Sequence, residues 1–248
     1  MSGITVETEA PIGRRNGVPP GELTAKLYGV PGSAPSTAAE LMLQHKRIQC
    51  RRVNLIAMLH RRRLRAKGFT GVTVPALVLS GQRVQTNRAI ARALDELVPE
   101  PPLFPADPLR RAEVEDAERF GDEVLQHATR RIIIWCTTRD PDSVQPHPAN
   151  GRIAVPRNAW LRARIMPRVF EVYGISEEVI RRDFETLPSM LDRMDAYVAG
   201  GVLNAPQLTA ADFQIAPLIG ALMGVCDIAA DVAPRPIAAL AARVLPRW

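Results

Sequence analysis

The stretch from residue 24 to residue 46 constrains the fold of this chain most, because a strand pattern changes into a helix pattern within a few residues. Apolar and polar residues alternate over 24–30, as in a short β-strand. Residues 31–36 read Pro-Gly-Ser-Ala-Pro-Ser, a turn, and helical spacing then predicts a helix that begins near Ser36 or Thr37. Such a helix start presents unpaired N–H groups and the positive end of the dipole. Ser33 and Ser36 therefore lie where an anion or a thiolate is favoured.

The next segments extend this beginning into an α/β domain. A second strand pattern at residues 49–55 follows the helix, and a helical crossover between two strands implies parallel pairing. Val74-Pro75 opens a further strand, and Ser80-Gly81 suits a tight hairpin turn. Thr86 is a natural N-cap for the helical pattern after it.

A proline-rich segment divides the chain. Residues 98–108 contain five prolines in 11 residues, which predicts a linker, and every periodic pattern after it is helical. Residues 1–22 mix Gly, Pro, Arg and Glu without periodicity and predict a flexible tail. The expected order is thus the tail, an α/β domain over 23–97, the linker, and an all-α domain over 109–248.

Composition narrows the possible partners. The net charge is +6. However, the basic residues are 29 arginines and three lysines, a skew typical of a GC-rich genome. No basic stripe contains interleaved aromatic residues, as a nucleic-acid surface would. We therefore expect no nucleic-acid partner. No apolar run approaches the ~18 residues of a membrane span, so we expect no membrane partner and a cytoplasmic location. Three cysteines and four histidines lack ligand spacing, so no metal is expected.

Several segments together resemble the glutathione transferase superfamily, in particular its serine-type bacterial members. They are Leu27-Tyr-Gly-Val-Pro-Gly-Ser-Ala-Pro-Ser36, Thr73-Val-Pro-Ala-Leu77, the pair Gln85-Thr86, and Leu208-Thr-Ala-Ala-Asp-Phe213, in which Thr209 and Asp212 form a capping pair. The resemblance covers residues 24–223. It implies a thioredoxin-like α/β N-terminal domain followed by an all-helical C-terminal domain, and it implies a homodimer.

The resemblance also implies a site and a reaction. The serine at the position of Ser33 donates its hydroxyl to the glutathione sulfur in this family, and it is the expected catalytic residue. The residue at Val74 pairs main chain to main chain with the cysteinyl part of glutathione, and Pro75 after it is cis. The residues at Gln85 and Thr86 hold the γ-glutamyl carboxylate and amine. The expected co-substrate is glutathione or a related low-molecular-weight thiol, which attacks a small hydrophobic electrophile, as in detoxification.

Alternatives stay open at this stage. Tyr28 is a rival thiol-activating hydroxyl, although a strand tyrosine usually packs in a core. Serines at positions 33 and 36 exclude dithiol exchange through this turn. Thr37 and Val72 stand where some relatives have arginine and histidine, which leaves the identity of the thiol open.

Two further features bear on the ligands. One or two of the arginines at 61, 62, 63 and 65 could reach a carboxylate of the thiol, and Phe120, Val124 and His127 are candidate pocket residues for the electrophile. A non-catalytic binding or regulatory protein is the alternative function, as is a thiol-dependent isomerase or dehalogenase.

Overall fold

The computed structural model describes residues 23–57, 59–145 and 155–245. Residues 1–22, the predicted tail, lie outside the described residues. The strands are β1 (Ala25–Gly29), β2 (Cys50–Asn54), β3 (Ala76–Leu79) and β4 (Gln82–Gln85). The helices are α1 (Ala34–His45), α2 (His60–Ala66), α3 (Asn87–Leu97), α4 (Pro108–Phe120), α5 (Gln126–Arg139), α6 (Ala159–Tyr173), α7 (Glu177–Ala199), α8 (Ala210–Met223), α9 (Cys226–Val232) and α10 (Pro236–Val244), with a π-helical turn, Gly121–Leu125, between α4 and α5.

The strands of the described residues form one mixed sheet in the order β2-β1-β3-β4. β2 is parallel to β1, as predicted, whereas β3 and β4 are antiparallel to their neighbours. Tyr28 pairs with Ala76, and Ala76 pairs with Gln85. The end of β1, the start of β3 and the end of β4 therefore lie side by side, at what we call the upper edge of the sheet. In the described residues after β4, every named element is a helix, so the predicted fold class is confirmed.

α1 begins two residues earlier than the pattern predicts, at Ala34 rather than near Ser36 or Thr37. Ser33 is its N-cap, with extended backbone angles, and Pro35 lies in the first turn. Proline suits that position, because its fixed φ matches the helix and its missing N–H would have no intrahelical partner there. The helical spacing of apolar residues does not include Ala34 and Pro35, because neither belongs to the apolar stripe that marks the helix.

Alternate residues of β1 face two different cores. Leu27 is buried in the larger core, with residues of α1, α3 and the helical domain. Tyr28 is buried on the other face of the sheet, beside Leu64 of α2 and Phe69. The period of two in a strand produces this division.

α8 is the central helix of the helical domain and is buried along most of its length. Its predicted capping pair is confirmed: the Asp212 carboxylate accepts hydrogen bonds from the Thr209 backbone N–H (2.7 Å) and hydroxyl (2.9 Å). It also accepts one from the Asn204 N–H at 2.7 Å. A charged cap at a helix N-terminus suits the helix dipole. Among the helices of the described residues, none combines the length and apolar character needed to cross a membrane.

A buried lysine ties the end of α1 to the end of α3. The side chain of Lys46 has no exposed surface, and its ammonium donates hydrogen bonds to Asp95 Oδ1 (2.7 Å) and the Val98 carbonyl (2.6 Å). The same Asp95 oxygen accepts the Leu103 N–H at 2.7 Å. One carboxylate thus stabilises two helix ends and the proline-rich segment between the domains.

We expect Asp95→Asn to lower the free energy of unfolding by about 3 kcal/mol, because it leaves a buried ammonium without its counter-charge. Urea unfolding followed by circular dichroism measures this change. Glu178→Gln is the matched control, because its partner Arg182 is exposed; this variant should change the stability by less than about 0.5 kcal/mol. Equal effects of the two substitutions would contradict the prediction.

Candidate functional site

Ser33 lies at the upper edge, at the N-terminus of α1, and is partly exposed. Its side-chain oxygen accepts hydrogen bonds from the Ser36 backbone N–H (3.4 Å) and the Ser36 hydroxyl (3.0 Å). A serine oxygen has two acceptor positions and one hydrogen to donate. Because both donors come from the first turn of α1, the Ser33 hydrogen is left to donate away from the helix.

Ser36 takes its position from a glycine in β1. Its side chain is fully buried against Gly29. A Cβ atom at residue 29 would lie only 2.9 Å from Ser36 Cβ and 3.0 Å from Ser36 Oγ. The absence of a side chain at Gly29 therefore lets the first turn of α1 approach the strand, and Ser36 then orients Ser33.

The Val74–Pro75 peptide bond is cis, as the resemblance implies. Pro75 is buried, while Val74 is partly exposed. Ala76 pairs with Tyr28, so Val74 and Pro75 lie beside the end of β1 at the upper edge. The main chain of Val74 is thereby brought to the same edge as Ser33, and its role in binding stays a prediction.

Thr86 is the N-cap of α3, as predicted, and is exposed. Its hydroxyl accepts the Ala89 N–H at 3.3 Å, and its backbone has a positive φ of 70°. Positive φ is strained for a β-branched residue, and such strain gathers at functional sites. The unpaired N–H groups at the start of α3 suit a carboxylate.

The side chain of Gln85 is directed to the chain before Val74. Its Oε1 accepts the Gly71 N–H at 2.7 Å, and its Nε2 donates to the Thr73 carbonyl at 3.1 Å. Both polar groups are therefore used to hold the loop that leads into the cis proline. Its expected contact with a ligand carboxylate stays untested, whereas its contact with this loop is a feature that the sequence did not indicate.

Tyr28 packs inside a core. Its ring lies edge-on to Phe69 at 5.7 Å between centroids, and the ammonium groups of Lys26 and Lys67 lie 5.5 and 5.4 Å from its centre. The ring is on the α2 face of the sheet, whereas α1 covers the other face. This geometry favours the packing role of Tyr28. The four candidate arginines of α2 are exposed, and no ion pair within the described ranges distinguishes one of them.

Ion pairs join α3 to the helix beside it. Arg92 contacts Glu115 (3.5 Å) and Glu118 (2.9 Å), and Arg88, in the first turn of α3, contacts Glu118 (3.7 Å) and Glu123 (3.3 Å). The order of these pairs shows that α4 and the π turn run alongside α3 toward its N-terminus. Residues after Glu123 therefore extend past the start of α3 and above the upper edge.

The three pocket candidates on this helix differ in surroundings. The Arg193 guanidinium of α7 lies 4.2 Å from the centre of the Phe120 ring, so Phe120 faces another helix of the same domain. Val124 and His127 are exposed. π turns are frequent at functional sites, and a π turn at residues 121–125 joins α4 to α5 at this point.

A buried polar cluster behind the start of α3 was not predicted. The Asn87 amide donates to Gln214 Oε1 at 2.6 Å, and the Gln214 amide contacts Gln126 Oε1 (3.3 Å) and Asp122 Oδ1 (3.5 Å). Asn87 and Gln214 are almost fully buried, and burial raises the pKa of Asp122. These residues come from three distant segments, so no local pattern marks them. No group of three or more potential metal ligands occurs in the described part of the chain.

The comparisons with known proteins agree with this geometry. Residues 27–102 match the family model of the glutathione S-transferase N-terminal domain. No curated protein sequence matches the chain significantly.

Solved structures with the same fold cover most of the chain. The β-etherase LigF from Sphingobium sp. strain SYK-6 has 18% identity and a TM-score of 0.60, over 89% of this chain and 98% of that one. A glutathione S-transferase from Methylobacterium radiotolerans, solved with glutathione sulfonate, has 16% identity and a TM-score of 0.60, over 89% and 90%. The glutathione transferase GSTFuA2 from Phanerochaete chrysosporium has 17% identity and a TM-score of 0.66, over 89% and 96%. Residues 27–102 therefore match a glutathione S-transferase N-terminal domain, and the chain has the glutathione transferase fold over 89% of its length.

We expect Gly29→Ala to lower the free energy of unfolding by about 1–3 kcal/mol, because the added Cβ overlaps the buried Ser36 side chain. Chemical denaturation measures the loss. Gly200→Ala is the control, because its Cβ would lie 3.4 Å from the nearest atom, a contact that slight movement relieves. A destabilisation of Gly29→Ala no greater than that of the control would show that α1 does not need the close approach.

Proposed function

We propose that this protein is a glutathione transferase-like enzyme that activates the thiol of glutathione, or of a related low-molecular-weight thiol, for attack on a small electrophile. The observation that carries the proposal is the position and hydrogen bonding of the Ser33 hydroxyl. It caps α1, accepts two hydrogen bonds from Ser36, and lies at the same sheet edge as the cis Val74–Pro75 bond and the start of α3.

The chemistry needs the thiolate form of the thiol. A free thiol has a pKa of about 8.5 and is mostly protonated at neutral pH. A hydrogen bond from Ser33 to the sulfur and the positive end of the α1 dipole both favour the thiolate over the thiol. The thiol proton then leaves to solvent, so no separate general base is required.

The rest of the thiol would be held along the upper edge. The main chain of Val74 pairs with the cysteinyl part, and the N-terminus of α3 with Thr86 accommodates the γ-glutamyl carboxylate. Gln85 supports this arrangement through its hydrogen bonds to Gly71 and Thr73, which position the loop before Val74. The Methylobacterium structure with glutathione sulfonate supports a glutathione-type ligand for this fold.

The electrophile would lie between the upper edge and the helix that extends past α3. The same thiolate can displace different leaving groups, and one fold can serve several reactions; a β-etherase and glutathione transferases share this one. The proposal includes a role in detoxification and a cytoplasmic location, because low-molecular-weight thiols stay reduced there.

We expect Ser33→Ala to lower kcat/KM for conjugation of glutathione with 1-chloro-2,4-dinitrobenzene roughly 100-fold, as loss of one preorganised donor does. Absorbance at the conjugate band measures the rate. Tyr28→Phe is the control for the rival hydroxyl and should keep nearly full activity.

An active Ser33→Ala variant together with an inactive Tyr28→Phe variant would reverse the assignment. A thermal-shift titration with glutathione tests the non-catalytic alternative, because a ligand that binds the folded state raises Tm. A Tm increase in wild type without turnover of any electrophile would indicate a binding protein.

We also expect a homodimer, as the family resemblance implies. Size-exclusion chromatography with light scattering should give twice the chain mass of 27.3 kDa. A mass equal to one chain at micromolar concentration would contradict this expectation.

A further inference from the structure

Arg130 of α5 is a partly buried guanidinium for which the described residues provide no carboxylate within salt-bridge distance and no hydrogen-bond acceptor. Its described contact is with the ring of Tyr173, whose centre lies 5.4 Å away. The adjacent Arg131 is different, because its Nε and Nη2 each donate a hydrogen bond of 2.6 Å to the Asp183 carboxylate. Arg130 therefore carries the uncompensated charge of this pair.

The ion pairs with α3 define where Arg130 lies. Glu123 contacts Arg88 in the first turn of α3, and Arg130 follows seven residues later on the same helical rod. With a rise of about 1.5 Å per residue, the Cα of Arg130 is about 10 Å further along this helix than the Cα of Glu123. It therefore stands above the upper edge, on the helical-domain side of the candidate site.

The other charged and titratable groups near Arg130 do not remove the need for an anion. Asp122 interacts with Arg130 at longer range, but it is shared with Arg88 and contacts the Gln214 amide at 3.5 Å. Arg131 adds positive charge, and His127, whose pKa is lowered by burial and by the two arginines, supplies no negative charge. Burial lowers the pKa of Arg130, which reflects the cost of holding an unpaired cation away from water.

We propose that Arg130 binds a carboxylate of the electrophilic substrate, so that the second-substrate site selects acidic electrophiles. The inference rests on the proposed function and names the class of its second substrate. A planar guanidinium pairs with a carboxylate through two parallel hydrogen bonds, and partial burial strengthens them. The Tyr173 ring, 5.4 Å from the guanidinium carbon, stabilises the positive charge but accepts no N–H···O hydrogen bond, so the N–H groups can bind the ligand. The thiol carboxylate, by contrast, is assigned to the start of α3, on the α/β domain.

Two aryl chlorides of equal shape test this assignment. With 4-chloro-3-nitrobenzoate or its neutral amide, the thiolate sulfur attacks the carbon that bears chlorine. The C–S bond forms, the C–Cl bond breaks, and chloride leaves with the bonding pair. We expect Arg130→Met to lower kcat/KM for the benzoate roughly 10-fold or more and to change that for the amide by less than about threefold.

The controls separate charge recognition from loss of structure. Arg182→Met removes an exposed arginine of α7 and should leave the rates for both substrates unchanged. Arg130→Lys should recover part of the preference for the benzoate, because it restores the charge. Equal losses for the two substrates in Arg130→Met, or no loss for either, would overturn the proposal.

A binding measurement distinguishes failure of this inference from failure of the proposed function. Isothermal titration compares S-(4-carboxybenzyl)glutathione with its neutral carbamoyl analogue, without any turnover. We expect the acid to bind wild type more tightly, and Arg130→Met to abolish the difference. Equal affinities in wild type would overturn the role of Arg130 alone, whereas failure of both conjugates to bind would overturn the thiol site together with it.

Discussion

The pairing of Glu118 with Arg92 is the interaction on which the geometry of the candidate site depends. Glu118 is 1% exposed, and burial raises the pKa of its carboxyl, while the nearby Arg92 opposes that shift. A carboxylate at such a depth is tolerated only when its charge is balanced and its oxygens are hydrogen-bonded. This pair, with Arg88 beside it, sets α4 antiparallel to α3 and so decides which residues of the helical domain lie over the sheet.

From this contact the site follows in order. The N-terminus of α3, capped by Thr86, lies at the upper edge of the sheet. At that edge the pairing of β1 with β3 brings the cis proline beside the start of α1, and Gly29 allows Ser36 to pack closely and to orient Ser33. The α/β domain thus supplies the thiol side of the site, and the rod that contains the π turn supplies its opposite wall. The two walls differ in chemistry: backbone donors line the first, while side-chain charge characterises the second.

Much of the fold was predictable from the sequence because the signals are local. The strand and turn before Ser33, the cap at Thr86 and the capping pair of Asp212 each involve residues within a few positions of one another. The start of α1 was predicted two residues late, since apolar spacing does not register a capping serine and a first-turn proline. The hydrogen bonds of Gln85 to a loop more than ten residues away, and the contact of Asn87 with Gln214, depend on strand register and domain packing, which local patterns do not encode.

By itself the sequence determined the two kinds of domain, the order of their elements and the serine at a helix N-terminus, because propensities and caps act between close neighbours. Only the tertiary structure decided that Ser36 orients Ser33, that Gln85 supports the cis-proline loop, and that Arg130 lies over the ring of Tyr173. The physical reason is that the charge and hydrogen-bonding state of a side chain depends on groups that folding brings near it. For Arg131 folding provided Asp183 as a partner, whereas for the adjacent Arg130 the described residues provide only the face of a tyrosine.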